Sequence, residues 1–149
     1  MSDIPTAEKT TDPPMSHEPT SERSPSEVLR RHLDLADEGA VDDDLAENFA
    51  PDVVVLTRWG TYRGRDGVKE LADRLDDELP DMEFVYDQVL VEGDFGFLAW
   101  RATASNGNRV DDGADSYVIR DGHIVAQSIH YTLESPTDGR PTDATSSLG

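Results

Sequence analysis

The chain has 149 residues, no cysteine and a formal charge of −19, with 32 Asp and Glu against 13 Lys and Arg. That composition excludes disulfides, thiolate nucleophiles and Cys-ligated metals, and its field repels phosphate, which sets nucleic acid aside as a partner. No run approaches the roughly 18 apolar residues of a membrane span, and the start lacks the basic, apolar pattern of a signal peptide, so a cytoplasmic location is expected. The acidic surface, in which Lys9 and Lys69 are the only lysines, suits a high-salt cytoplasm, where ions screen self-repulsion, and equally an acidic GC-rich bacterium.

Residues 1–23 and 135–149 are rich in Pro, Ser, Thr and acids. Such segments bury too little to offset their ordering entropy, so disordered tails are expected on either side of one domain, 24–134, of about 110 residues. "SPSEVLRRHLDLADEG" opens it as a helix: Ser24 is the N-cap, Pro25 suits the first helical position and Glu27 completes a capping box. Val28, Leu29, His32, Leu33, Leu35 and Ala36 recur at helical spacing until Gly39, which puts His32 on the apolar face. "DDDLAENFAP" reads as a short second helix ending before Pro51, its Asp42, Asp43 and Asp44 forming a solvated face.

"DVVVLTRW" is a strand and "GTYRGRDG" a glycine-punctuated loop. Asp66 then caps a third helix with Val68, Leu71, Ala72, Leu75 and Leu79 on one stripe, stopped at Pro80. Four strands follow in "EFVYDQVLVE", "FGFLAWRATAS", "DSYVIR" and "HIVAQSIHYTLE", joined by turn residues. Helices gathered early against a late antiparallel meander predict an α+β fold, and a curved sheet around a long helix leaves a conical cavity at one end.

The closing hairpin, "GADSYVIRDGHIVAQSIHYT", locates the polar groups. A two-residue type I′ turn at Asp121-Gly122 pairs Arg120 with His123, Ile119 with Ile124, Tyr117 with Ala126 and Asp115 with Ser128. In that register Asp115, Tyr117 and His130 share a face, and Asp115 and His130 are diagonal neighbours. The other face, with Val118, Val125, Ile129 and Tyr131, offers an apolar patch for a homodimer. A bulge would move one strand's residues to the opposite face.

With "LADEGAVDDDLAENFAPDVV", "GTYRGRDGVKEL" and "GADSYVIRDGHIVAQSIHY", residues 26–134 resemble the nuclear transport factor 2-like superfamily, particularly its SnoaL-like branch. The resemblance implies a cystatin-like α+β barrel, a curved, mostly antiparallel sheet wrapped around helices. The superfamily contains ketosteroid isomerases, polyketide cyclases, epoxide hydrolases, dehydratases and non-catalytic binding modules. By the resemblance Asp115 looks like the protonated carboxylic acid of the isomerases and His32 takes the place of its helix-borne tyrosine. Thr57 stands where the isomerase base belongs. Arg101 and Asp115 match part of the epoxide hydrolase set, with Thr103 where a second acid is expected.

The candidate catalytic residues are therefore Asp115, His130 and His32, and the candidate substrate contacts are Trp59, Tyr62, Arg101, Tyr117 and Thr57. Each has a structural alternative: Asp115 as an acceptor of internal hydrogen bonds, His32 as its core partner, the aromatic residues as packing, and Arg101 in an ion pair. His32, His130 and Asp115 lack metal-ligand spacing and no phosphate loop or nucleophile elbow occurs, so no metal or cofactor is expected. Two classes of function follow: cofactor-independent acid/base catalysis on a small apolar carbonyl compound, of isomerase, cyclase or hydrolase type, or a non-catalytic role, either binding a small hydrophobic ligand without conversion or serving as a dimeric scaffold with a vestigial pocket.

Overall fold

A computed structural model describes residues 23–136. The segments 1–22 and 137–149, where disordered tails are expected, lie outside the described residues. Helix α1 spans Pro25–Glu38 and α2 Val41–Asn48. Strand β1 spans Phe49–Thr57 and β2 Gly60–Arg63, followed by α3, Gly64–Glu78. Strands β3 (Glu83–Glu92), β4 (Phe95–Thr103), β5 (Arg109–Arg120) and β6 (His123–His130) complete the chain. The capping box forms as the sequence predicts: Glu27 N–H donates to Ser24 Oγ at 3.1 Å, and Ser24 N–H to Glu27 Oε1 at 2.7 Å. Gly39 ends α1 at φ 72°, the left-handed conformation glycine adopts without strain.

The six strands form one sheet in the order β2-β1-β6-β5-β4-β3. Only the β1–β6 pair is parallel. One face packs against the helices through Val28, Leu29, Phe49, Val53, Val55, Leu71, Leu98, Trp100 and Tyr117. This is the expected α+β cone.

Several boundaries differ from the sequence reading. The predicted loop after β1 contains β2, because Val54 to Thr57 pair back with Gly60 to Arg63. Helix α3 starts at Gly64, two residues before Asp66, with Arg63 at its N-cap position. Pro51 lies inside β1 rather than beyond the end of α2, in the stretch where the β1–β6 register shifts. A residue without an N–H is tolerated there because no ladder bond is required of it.

Strand β5 is longer than predicted and starts at Arg109. Its Gly113 faces Trp100 in the β4–β5 register. A Cβ on Gly113 would lie 2.2 Å from two indole carbons, so the ring rests on bare backbone.

Candidate functional site

The decisive local feature is a register shift in the last hairpin. Asp121 and Gly122 take φ values of 52° and 75°, as a type I′ turn requires, and Arg120 and Ile119 pair with His123 and Ile124 as expected. The next pair is Val118 with Ala126, which leaves Val125 as an extra residue on β6. Beyond this bulge every β6 side chain exchanges faces relative to a regular ladder. Asp115 therefore pairs with Ile129 and Tyr117 with Gln127.

His130 is exposed and sits opposite Ala114, on the face away from Asp115. The expected Asp115–His130 neighbourhood does not form, and the bulge is the reason. The same shift corrects the expected dimer patch: Tyr131 is buried in the core and Ile129 lines the cavity, so neither faces outward.

The sheet and helices enclose a cavity of about 400 Å³. His32 enters it from α1, Asp44 from α2, Trp100 from β4, Asp115 and Tyr117 from β5 and Gln127 from β6. Its remaining wall is mostly apolar, contributed by residues such as Leu33, Val68, Leu71 and Met82.

Asp115 forms the buried floor, 7% exposed. Its Oδ1 accepts from Trp100 Nε1 at 2.9 Å; its Oδ2 accepts from Tyr117 Oη at 3.1 Å and Gln127 Nε2 at 3.4 Å. Burial raises the carboxyl's pKa from 3.8 to about 6, against the opposing effect of these three donors and of a nearby His32 charge. The Tyr117 hydroxyl is pushed well above its ordinary value by its own burial and by the carboxylate beside it. It therefore stays protonated. Tyr117 is also the donor whose oxygen is able to accept in turn when Asp115 carries the proton.

Opposite this floor stands a pair. His32 Nδ1 lies 2.7 Å from Asp44 Oδ2, and Asp44 is itself only 7% exposed. Asn48 Nδ2 donates to Asp44 Oδ1 at 2.8 Å, and Arg23 donates to Asn48 Oδ1 at 2.9 Å. Arg23 also donates to the carbonyls of Glu47 and Gly122, tying the chain of bonds to the closing turn. A proton on Nδ1 shared with Asp44 leaves Nε2 as the acceptor nitrogen. No residue bonds to Nε2 among the described residues. The ring is held edge-on by Phe49 and Tyr117, at centroid distances of 5.3 and 5.7 Å.

The structure thus gathers Asp115, His32 and Tyr117 at one cavity. The other candidate residues lie elsewhere. Arg101 is exposed and makes a two-pronged ion pair with Asp87, at 2.8 and 2.9 Å, where the sheet register shifts. Thr57 Oγ1 accepts from Trp59 N–H and donates to the Gly60 carbonyl, closing the β1–β2 turn. Trp59 packs edge-on against Tyr131 at 5.8 Å, with the guanidinium groups of Arg58 and Arg74 stacked on it. Tyr62 packs against the core from β2. Neither aromatic lines the cavity.

Sequence reasoning missed Asp44, Gln127 and the floor role of Trp100. Asp44 was recoverable: Val41, Asp44, Leu45 and Asn48 lie three and four apart, on one stripe of α2, while Asp42 and Asp43 point to solvent. Among the described residues no group of three or more His, Asp or Glu could hold a metal, and no helix is long and apolar enough to cross a membrane.

The family model for the SnoaL-like domain matches residues 29–127. No curated protein matches the chain. Among solved structures the chain is similar to a ketosteroid isomerase candidate from Kribbella flavida, at 18% identity over 83% of this chain and 90% of that one, with a TM-score of 0.61. It is also similar to a polyketide cyclase candidate from Sinorhizobium meliloti, at 18% identity over 69% and 93%, TM-score 0.57. A third, TerC co-crystallised with polyporic acid, shares 19% identity over 72% and 91%, TM-score 0.61. At these identities the likeness shows the fold.

Proposed function

Given that the chain belongs to the SnoaL-like family, we propose that it is a cofactor-independent acid/base catalyst acting in the cytoplasm on a small carbonyl compound, with His32 and Asp115 in the working roles. The observation that carries this reading is the pairing of a held imidazole with a buried, hard-to-ionise carboxyl on one apolar cavity. His32, its Nδ1–H retained by Asp44, presents Nε2 to a carbon-bound proton next to a carbonyl. Asp115 in its acid form donates to the carbonyl oxygen as charge develops there, and Tyr117 and Trp100 hold it in place. Asp44 is a positioning residue: it selects the tautomer and stabilises the imidazolium formed when the proton moves.

The test needs no knowledge of the natural substrate. Acetophenone, 2-tetralone and cyclohex-2-enone are incubated with the protein in heavy water, and deuterium uptake beside the carbonyl is followed by NMR. The protein is expected to speed exchange of at least one probe. His32→Gln and Asp115→Asn should each slow it about 100-fold or more, the usual contribution of a general acid or base. Asp44→Asn should slow it at least about tenfold, and His130→Ala should leave it unchanged. Because Asp115 works in its acid form, the rate should fall as pH rises past about 6. Exchange at the solvent rate for every probe, or a rate indifferent to both principal variants, would overturn the reading.

A second reading, binding without conversion, is favoured by one observation: both Asp115 oxygens are already occupied by protein donors. It is the reading left standing if no probe exchanges but one binds.

We further propose that the chain dimerises through its outer sheet face, in a position corrected from the sequence reading. Val54, Leu56, Phe95, Ser116, Val118, Ala126 and Ser128 surround an outward groove free of Asp, Glu, Lys and Arg. Leu56 is 54% and Phe95 62% exposed. Two molecules this acidic repel one another, and this uncharged face lets them meet without opposing carboxylates. Sedimentation should give a dimer for the natural chain and a monomer for Phe95→Asp; a monomeric natural chain would refute the contact.

A further inference from the structure

The cavity's charge is as specific as its shape. Four carboxylates line it, those of Asp44, Asp73, Asp76 and Asp115, and no Lys or Arg does. The nearby cations are committed elsewhere. Lys69 pairs with Asp42 at 2.9 Å, Arg74 stacks on Trp59, and Arg65 donates to the Phe49 carbonyl through Nε and Nη2. Of the lining residues only Gly39, Asp73 and Asp76 are exposed, so the mouth lies between the end of α1 and the middle of α3. Both charged groups at that mouth are negative. The adjoining end of α1 adds the partial negative charge of its last carbonyls, and its last turn carries no basic residue to offset them.

Inside the mouth the polar groups give way to rings. Phe84 stacks on Tyr86 at 5.6 Å and meets Trp100 edge-on at 5.5 Å, and all three line the cavity. Aromatic walls attract organic cations through their quadrupoles and cost a neutral body nothing. An anion entering here would pass two carboxylates, lose its water and find no Lys or Arg to receive it, with the His32 ring already engaged by Asp44, which is costly at low dielectric.

We propose that the cavity takes organic cations, an amine protonated at neutral pH on an apolar body, and rejects carboxylates and phosphates of the same shape. The ammonium stays near Asp73 and Asp76 while the apolar body reaches toward the Asp115 floor. At about 400 Å³ the space is near the lower end of the range of roughly 300–1,000 Å³ that holds drug-sized ligands. The inference rests on the cavity being a small-molecule site, as argued above, and is independent of proton transfer within it.

Three probes with one body and three heads test it: 4-phenylbutylamine, 4-phenylbutanol and 4-phenylbutyrate, titrated into the full chain at pH 7.5 and followed by calorimetry and by the indole N–H signal of Trp100. The amine should bind at least tenfold more tightly than the alcohol and move the Trp100 signal, and the butyrate should not bind. The double variant Asp73→Asn, Asp76→Asn should bring the amine to the alcohol's affinity without altering the alcohol's. Those two carboxylates are a small share of the acidic surface, so that loss separates mouth recognition from diffuse attraction. Equal binding of amine and alcohol, binding of the butyrate, or a preference that survives the double variant would overturn the proposal. Amine binding without deuterium exchange on any ketone would remove the catalytic reading and leave this one intact. Exchange on neutral ketones without amine preference would do the reverse.

Discussion

Asp115→Asn is expected to make the protein's stability less dependent on pH, in a direction that follows from the buried carboxyl. Its pKa rises from 3.8 to about 6 on folding, so the fold prefers the neutral acid. That preference is fully present below pH 4 and is lost as pH rises through about 6. At 1.36 kcal/mol for each tenfold change, the difference is about 3 kcal/mol. An amide is neutral throughout. The stability of Asp115→Asn relative to the natural chain should therefore climb by most of this, about 2.5 kcal/mol, between pH 4 and pH 7.5, measured by urea unfolding of both proteins at both values. The offset at any one pH also contains the rearranged bonds to Tyr117 and Gln127, so the slope is the quantity to read. A difference that stays flat across that interval would mean the carboxyl is solvated.

Gly113→Ala should be among the most damaging single changes in the domain. The added methyl would lie 2.2 Å from two carbons and 2.6 Å from the nitrogen of the Trp100 indole, a ring only 3% exposed. The ring must move, and with it goes the Nε1 bond to Asp115. Overpacking of about 1–3 kcal/mol and the loss of a charge-assisted bond of about 1.5–3 kcal/mol combine to roughly 2.5–6 kcal/mol. Denaturant unfolding measures the total. In a Trp100→Leu background the same change should cost under about 1 kcal/mol, since the obstacle is gone. An equal cost in both backgrounds would show that the penalty lies in the strand and not in the ring.

The architecture was largely legible in the residues because its signals are local. Ser24, Glu27 and Gly39 bracket α1 by capping chemistry, the stripe from Val68 to Leu75 marks the inner face of α3, and Asp121-Gly122 fixes a turn. The site was legible only where it depended on such signals. His32 was placed correctly because it follows the helical stripe of α1, and Asp115 and Tyr117 because they share the period of β5. His130 was misplaced because its direction depends on a bulge at Val125, between residues that look like any regular strand. Asp44 was lost in a triplet of identical residues, where only a helix's angular spacing tells the buried one from its neighbours. Arg101 was misassigned because a strand's alternation breaks where its ladder shifts. Asp87, the partner that holds it, lies on another strand.

The extra residue in β6 also bears on how this lineage changes. Remove the codon for Val125, keep the turn, and the ladder becomes regular with its partners unchanged: Ile124 still meets Ile119, Ala126 meets Val118, Gln127 meets Tyr117 and Ile129 meets Asp115. One triplet deletion would thus leave the same amide and aliphatic side chain beside the buried acid, with Ser128 and His130 still on the outer face. The pocket wall is therefore indifferent to an in-frame loss at the bulge, and the lineage is free to gain or shed that residue without altering what faces the hollow.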